Sequence, residues 1–155
     1  MTLLIRPASL IDLETILAWY EEIWRVEQVY EPRMLYPLKE YRQNLPQYLR
    51  NEKCLLLIAE LDGKPAGYLD AHIDPSPDYL SGDDLECEIG LVYLEPWARG
   101  QGLAQRLIEQ CKVWAQSKNV RRMKAGIFAQ NHASLRTFRR CGFEDYHITL
   151  VRKLD

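Results

Sequence analysis

The 155-residue sequence has no run of 18 or more apolar residues, which excludes a helical membrane span. Its first residues meet Arg6 and Asp12 too soon to build the apolar core of a secretory signal peptide, so no such leader is expected. Among the four cysteines, Cys54, Cys87, Cys111 and Cys141, there is no CxxC pair. That argues against a zinc knuckle or dithiol redox centre, and for buried free thiols in a reducing cytoplasm. His72, His132 and His147 lack metal-ligand spacing, so no metal is expected. No repeat, low-complexity tract or linker divides residues 1–155, which read as a single domain. Lys and Arg are missing from Pro65 to Ala98, a stretch with eight acids: Asp70, Asp74, Asp78, Asp83, Asp84, Glu86, Glu88 and Glu95.

The net charge of −2 therefore conceals an asymmetry. Residues 1–92 carry 8 Lys+Arg against 17 Asp+Glu, and residues 93–155 carry 12 against 5. An acidic first half and a basic second half suit a protein that brings a cation to an anion.

Periodicity gives the order strand, helix, helix, three strands, helix, strand, helix, strand. Leu3 to Arg6 is a short strand, and Ser9 precedes Asp12 at capping-box spacing. Leu13, Ile16, Leu17, Tyr20, Ile23 and Trp24 form one helical stripe. Glu31-Pro32 and Tyr36-Pro37 mark Val26 to Leu38 as an irregular connection, and Tyr41 to Leu49 reads as a second helix kinked or restarted at Pro46. Cys54 to Glu60 and Ala66 to Ile73 are strands joined by an Asp62-Gly63 hairpin turn. Glu86 to Leu94 is the next strand, Gln101 to Lys118 a helix, Arg122 to Phe128 a strand, Asn131 to Arg140 a short helix, and Tyr146 to Leu154 a final strand. This is an α+β domain with a mixed sheet.

The stretch that carries chemistry is Leu91-Val92-Tyr93-Leu94-Glu95-Pro96-Trp97-Ala98-Arg99-Gly100-Gln101-Gly102-Leu103-Ala104. A strand enters a glycine-rich turn from which an amphipathic helix starts. Such a turn aims several backbone N–H groups at one spot, at the positive end of the helix dipole. Arg99 adds a fixed charge and the small Ala104 leaves the first turn open, so the segment suits a pyrophosphate. A P-loop would need Lys-Ser/Thr where Leu103-Ala104 stand, and a dinucleotide fingerprint would need a third glycine.

The RxxGxA pattern of Arg99 to Ala104 resembles motif A of the GNAT superfamily of acyl-CoA-dependent N-acyltransferases. A second stretch, from Asn131 to Phe143, is similar to that family's NxxAxxxYxxxGF signature. Ser134 stands in place of its alanine and Phe138 in place of its tyrosine, while Asn131 and Gly142-Phe143 match. The resemblance covers nearly the whole chain and implies a GNAT fold, a mixed central sheet of about six to seven strands flanked by about four helices. It also implies acetyl-CoA bound with its pantetheine arm along the backbone of Val92, Tyr93 and Leu94, and its pyrophosphate on the amides of Arg99, Gly100, Gln101, Gly102, Leu103 and Ala104. Asn131 and Ser134 would line the pantetheine path, with Phe138 near the thioester sulfur.

Acetyl transfer to an amine then requires a neutral nitrogen, and deprotonating a lysine-like ammonium at pH 7 costs about 4–5 kcal/mol. A general base is needed. Glu86 and Glu88 share one face of a strand just before the cofactor segment, and Glu88 is favoured over Glu86 as the nearer. Asp70 and His72 share a face of the preceding strand and would bind the amine. The Leu94 N–H would stabilise the oxyanion. With Phe138 unable to donate a proton, coenzyme A would leave as thiolate. Tyr30 and Tyr36, with Tyr41, Tyr48, Glu27, Glu31 and Glu40, would supply an aromatic, acidic slot for a cation.

The expected activity is acetyl transfer from acetyl-CoA to a primary amine in a ternary complex, the amine being polyamine-like, aminoglycoside-like or a basic peptide. A non-catalytic acyl-CoA-binding sensor or partner module is the alternative that Phe138 keeps open. Arg121-Arg122 and Arg139-Arg140 lie among motifs facing an anionic cofactor in an acidic chain, so neither nucleic acid nor membrane is an expected partner. A homodimer is expected from family habit alone.

Overall fold

Asp62 and Gly63 both take positive φ (51° and 77°), the backbone that a two-residue type I′ turn requires. They fold Cys54–Leu61 (β2) back on Lys64–Pro75 (β3). In this computed structural model, which describes residues 1–35, 37–77, 80 and 84–154, the hairpin is the centre of a five-stranded sheet in the order β1-β2-β3-β4-β5. Leu3–Pro7 (β1) and Leu85–Leu94 (β4) flank it antiparallel, and Arg122–Ala125 (β5) joins β4 in parallel. Among the described residues four α-helices complete the α+β fold: Leu13–Glu27 (α1), Leu38–Tyr48 (α2), Leu103–Ser117 (α3) and His132–Arg140 (α4).

Period-two alternation divides the core between the two faces of the sheet. Leu57, Ala59, Leu69, Ala71, Cys87 and Ile89 pack with Leu103, Leu107, Ile108 and Cys111 of α3 and Phe138 of α4. Leu56, Ile58 and Tyr68 pack with Ile16, Trp19 and Ile23 of α1 and Leu45 of α2. Helix α2 runs through Pro46 without restarting, and the stripe of α1 extends to Glu27, further into the region read as irregular.

Three sequence expectations are corrected. Among the described residues the sheet has five strands rather than six or seven, and β5 stops at Ala125 rather than Phe128. No strand forms over Tyr146 to Leu154; Tyr146, Ile148, Leu150, Val151 and Leu154 stand 72% to 90% exposed. The segment has a strand's alternation, but a strand exists only against a neighbouring edge, and pattern alone does not say which edge.

Arg6 clamps the entry to α1. It donates to both carboxylate oxygens of Asp12 (2.8 and 2.9 Å) and to Glu60 on β2 (2.8 Å). Asp12 also accepts the Ser9 N–H at 2.8 Å, half of the capping box expected there. Asp12 is 6% exposed, and the Arg6 guanidinium holds its carboxyl below the usual carboxylate range. Removing the cation leaves a buried, uncompensated charge. Arg6→Leu is therefore expected to cost about 3–5 kcal/mol, read as a lowered urea midpoint at pH 7. The loss should shrink in the Arg6→Leu/Asp12→Asn double variant.

Candidate active site

The β3–β4 register pairs Asp70 with Leu91 and Ala71 with Ile89, so Gly90 is an extra residue bulged out of β4. On the opposite side, the parallel ladder with β5 runs only from Glu86↔Arg122 to Ile89↔Ala125. Both pairings thus change at one place. Beyond it β4 continues to Leu94 with its β5-facing edge unladdered among the described residues. The Glu95 N–H bonds the Ala66 carbonyl (2.8 Å) on β3, so alternation turns the main-chain groups of Val92 and Leu94 towards that open edge. An extended ligand can add there as a strand would.

The edge leads into the glycine turn. After Pro96–Ala98, a single 3₁₀ turn, Gly100 and Gly102 take φ of 75° and 77°, a region closed to most side chains. Gly102 is the N-cap of α3 and has no side chain to satisfy the first amides, which stay available to an anion. Around the position a Gly100 Cβ would take there is open space to 4 Å. Arg99 is exposed at the mouth of the turn, donating from Nε to the Leu94 carbonyl (3.0 Å) and lying over the Tyr93 ring at 5.9 Å. Leu103 is a core residue at 1% exposure, so only its backbone is on offer. These residues fit a pyrophosphate.

The sheet face towards α1 and α2 changes from apolar to charged along β3 and β4. Asp70 lies below the bulge, its Oδ1 2.5 Å from where a Gly90 Cβ would be, so a side chain at that position would displace its carboxylate. It accepts from the Tyr41 hydroxyl (3.2 Å), and Tyr41 is stacked on Tyr20 at 3.9 Å. Burial pushes the Asp70 carboxyl up to about 6, against the opposing pull of Tyr41 and His72. Further along, His72 Nε2 is 3.0 Å from Asp74 and 3.9 Å from Glu88. Glu86 and Glu88 do share this face, but their surroundings differ. Glu86 is 5% exposed between Lys124 (3.1 Å) and Arg122 (3.7 Å), whereas Glu88 is half-exposed, 3.7 Å from Lys124. A cleft of about 710 Å³ opens beside the end of β4, lined by Glu14, Glu21, Glu22, Trp19, Tyr93 and Glu95 among others. Trp19 Nε1 donates to Glu95 at 2.7 Å and fixes that carboxylate in its wall.

The sequence profile described as "Acetyltransferase (GNAT) family" matches residues 13–143. The chain belongs to that family. No curated protein matches the chain in sequence. Solved structures do match it in fold. One is the aminoglycoside N-acetyltransferase AAC(6')-Iy in complex with CoA, 22% identical, TM-score 0.80, covering 98% of this chain and 95% of that one. Another is a predicted acetyltransferase with acetyl-CoA from Clostridium acetobutylicum, 18% identical, TM-score 0.78, covering 98% and 96%. A third is a transcriptional regulator from Bacillus halodurans C-125, 20% identical, TM-score 0.78, covering 99% and 100%. At such identities the likeness is one of fold.

Within the GNAT fold the second signature is built as a capped helix. Asn131 Oδ1 accepts the Ser134 N–H (3.2 Å), and Gly142 leaves α4 with φ 87°. Phe138 is 6% exposed, edge-on to Phe143 at 5.1 Å, packed in the core beneath α3. Gln101 is exposed and donates to the Trp97 carbonyl (3.3 Å). The expected tyrosine slot does not assemble as one wall: Tyr41 is tied to Asp70, Tyr30 packs on Phe128 at 5.6 Å, and Glu31 is paired with Arg33. Tyr36, Asp78 and Asp83 lie outside the described residues. Sequence reading missed the special environment of Asp70 and the Glu14–Glu21–Glu22 wall. The spacing Asp70…Gly90 across two strands carries a signal only once the bulge is known.

Because its carboxyl is raised, Asp70 favours the folded state when protonated, and that contribution is lost as pH rises from about 4 through 6. Asp70→Asn is thus expected to stabilise the fold at pH 7.5 by on the order of 2–3 kcal/mol. Urea unfolding should show the gain shrinking towards zero as pH approaches 4.

Proposed function

We propose that this chain transfers an acetyl group from acetyl-CoA to a primary amine on a cationic acceptor, polyamine-like, aminoglycoside-like or a basic peptide, by direct attack in a ternary complex. The observation that carries the reading is the coincidence at Gly90: the β4–β5 ladder stops, β4 runs on to an uncapped glycine turn, and a carboxyl raised to about 6 lies at the opening. Acetyl-CoA would supply the acetyl group as a thioester. The main chain of Val92 to Leu94 would hold its pantetheine arm, the amides of Arg99 to Ala104 with the Arg99 guanidinium its pyrophosphate, and Asn131 and Ser134 the approach. In the aromatic cleft, Glu21 and Glu95 supply the attraction for a cation, Glu14 and Glu22 being already paired with Arg42 and Arg25. That aminoglycoside acetyltransferases share the fold points the same way. The four free cysteines fit a cytoplasmic setting.

Two carboxylates can take the proton that the ammonium must lose. Asp70 is poised near neutrality at the opening, as a general base should be, and Glu88 is half-exposed on the same face. Glu86, buried between two cations, is held as their counter-ion. As the C–N bond forms and the C–S bond breaks, a backbone N–H of the open edge, at Leu94 or Val92, would meet the oxyanion, and coenzyme A departs as thiolate. Phe138 supplies no proton for that departure. A second reading, an acyl-CoA-binding module without turnover, rests on that same residue.

Release of free thiol with a panel of amines tests both. Multiply charged amines are expected to drive it and a neutral amine of similar size to fail; binding of acetyl-CoA without release under any amine leaves the second reading. Arg99→Glu should raise the KM for acetyl-CoA at least about tenfold, a loss of about 1.4 kcal/mol. In the wild type, kcat/KM should climb with pH through about 6, the Asp70 value. Asp70→Asn should lower kcat by about 10²–10⁴-fold and abolish that limb, with Glu88→Gln retaining it. The opposite pattern would assign the base to Glu88.

A further inference from the structure

The two oxygens of Asp70 have different surroundings. Oδ2 accepts from the Tyr41 hydroxyl at 3.2 Å, while Oδ1 points to the place where Gly90, an exposed residue, has no side chain. The terminal torsion of an aspartate is broad, so a carboxylate takes one orientation only where something ties it. Here the tie reaches across from α2, 29 residues back in the sequence. Tyr41 is itself held. Its ring is stacked on Tyr20 of α1 at 3.9 Å, with 12° between the planes. The next residue, Arg42, donates to both carboxylate oxygens of Glu14 (2.7 and 3.1 Å) and so pins α2 to α1. Burial and the charge of Asp70 push the Tyr41 phenol up, so its hydroxyl stays protonated and acts as a donor, not as a base.

We infer that Tyr41 and Gly90 are positioning residues for acetyl transfer: the tyrosine ties Oδ2, and the missing side chain leaves Oδ1 free to take the acceptor's proton at the break in the ladder. The inference rests on the proposed role of Asp70 as the base. In that step an N–H bond of the ammonium breaks, its electron pair stays on nitrogen, and Oδ1 gains the proton. The nitrogen would therefore approach over Gly90, where the β4–β5 ladder has ended. Other titratable groups face Asp70 from every side: Tyr20 on α1, Cys54 on β2, Tyr68 and His72 on β3, and Cys111 on α3. None of these side chains is hydrogen-bonded to it among the described residues, so none replaces the tie from Tyr41. Along with the Leu91 backbone and His72, Tyr41 favours the ionised carboxylate against its burial. Losing the hydroxyl therefore does two things at once: it frees the carboxylate to turn and makes it harder to ionise.

Tyr41→Phe, which keeps the stacked ring, Gly90→Ala and Asp70→Asn test it on the full chain. With aspartate labelled at the side-chain carboxyl with carbon-13, the signal missing from Asp70→Asn reports Asp70 in the absence of any substrate. Its midpoint, about 6 in the wild type, is expected to rise by about one pH unit in Tyr41→Phe, because a hydrogen bond to the ionised form is lost. The acid limb of kcat/KM should move up with it. Above that limb kcat should fall roughly ten- to a hundredfold in Tyr41→Phe and in Gly90→Ala, with the KM for acetyl-CoA nearly unchanged. In the Asp70→Asn background Tyr41→Phe should cause no further loss. A midpoint and limb that stay in place in Tyr41→Phe overturn the proposal. So does a kcat loss that persists in the Asp70→Asn background, since the tyrosine would then act elsewhere. Should Tyr41→Phe fail to fold, wild-type kcat in Gly90→Ala overturns it. Failure of the base reading looks different: the carboxyl midpoint rises in Tyr41→Phe while the kinetic limb stays, and the limb survives in Asp70→Asn. Positioning for transfer then falls with it.

Discussion

A backbone that gives up hydrogen bonds in mid-sheet must be held open, and in this protein Gly90 is where that happens. The extra residue lets β4 stay paired with β3 on one side while its ladder with β5 ends on the other. Unladdered main chain is costly unless water or a ligand satisfies it, and from Gly90 to Leu94 the β5-facing edge of β4 is unladdered among the described residues. The other site features are arranged around that break. The glycine turn follows directly on the open edge, and the acidic face begins beneath it.

Asp70 shows what this arrangement costs. A carboxyl pressed under the bulge, with a tyrosine hydroxyl as its hydrogen-bond donor, is less comfortable ionised than it would be in water. The same discomfort brings it close to neutrality, where a base for an ammonium proton works best. Glu86, one strand over, is also buried, but with Lys124 and Arg122 beside it as counter-charges. Two carboxylates of one small face thus sit in different surroundings because their partners differ.

The C-terminal tail is the converse of the β4 edge. One is backbone without a partner inside an ordered sheet; the other is a well-patterned strand without a sheet. Isolated strands have no stability of their own in water, so the pattern of the tail does not by itself make it a strand.

Much of this was legible in the residues. The Asp62-Gly63 turn, the apolar runs of β2 to β4, the glycine turn before α3 and the Asn131 cap are local: each depends on backbone geometry or periodicity within a few positions. They suffice to place the family and the glycine turn that opens α3. Which of Asp70, Glu86 and Glu88 is shielded, neutralised or open was not legible, because it depends on cations and rings far away in sequence: Lys124, Arg122, Tyr41. The bulge was equally hidden, since register is a relation between two strands and neither carries it alone. The sequence by itself determined the helices and the strands up to β5, their order and the glycine turn before α3, through short-range sterics and hydrophobic period. Only the tertiary structure decided where the sheet opens, which carboxyl stands at the opening and that Tyr146 to Leu154 finds no strand within its own chain, because burial, charge pairing and strand pairing are long-range.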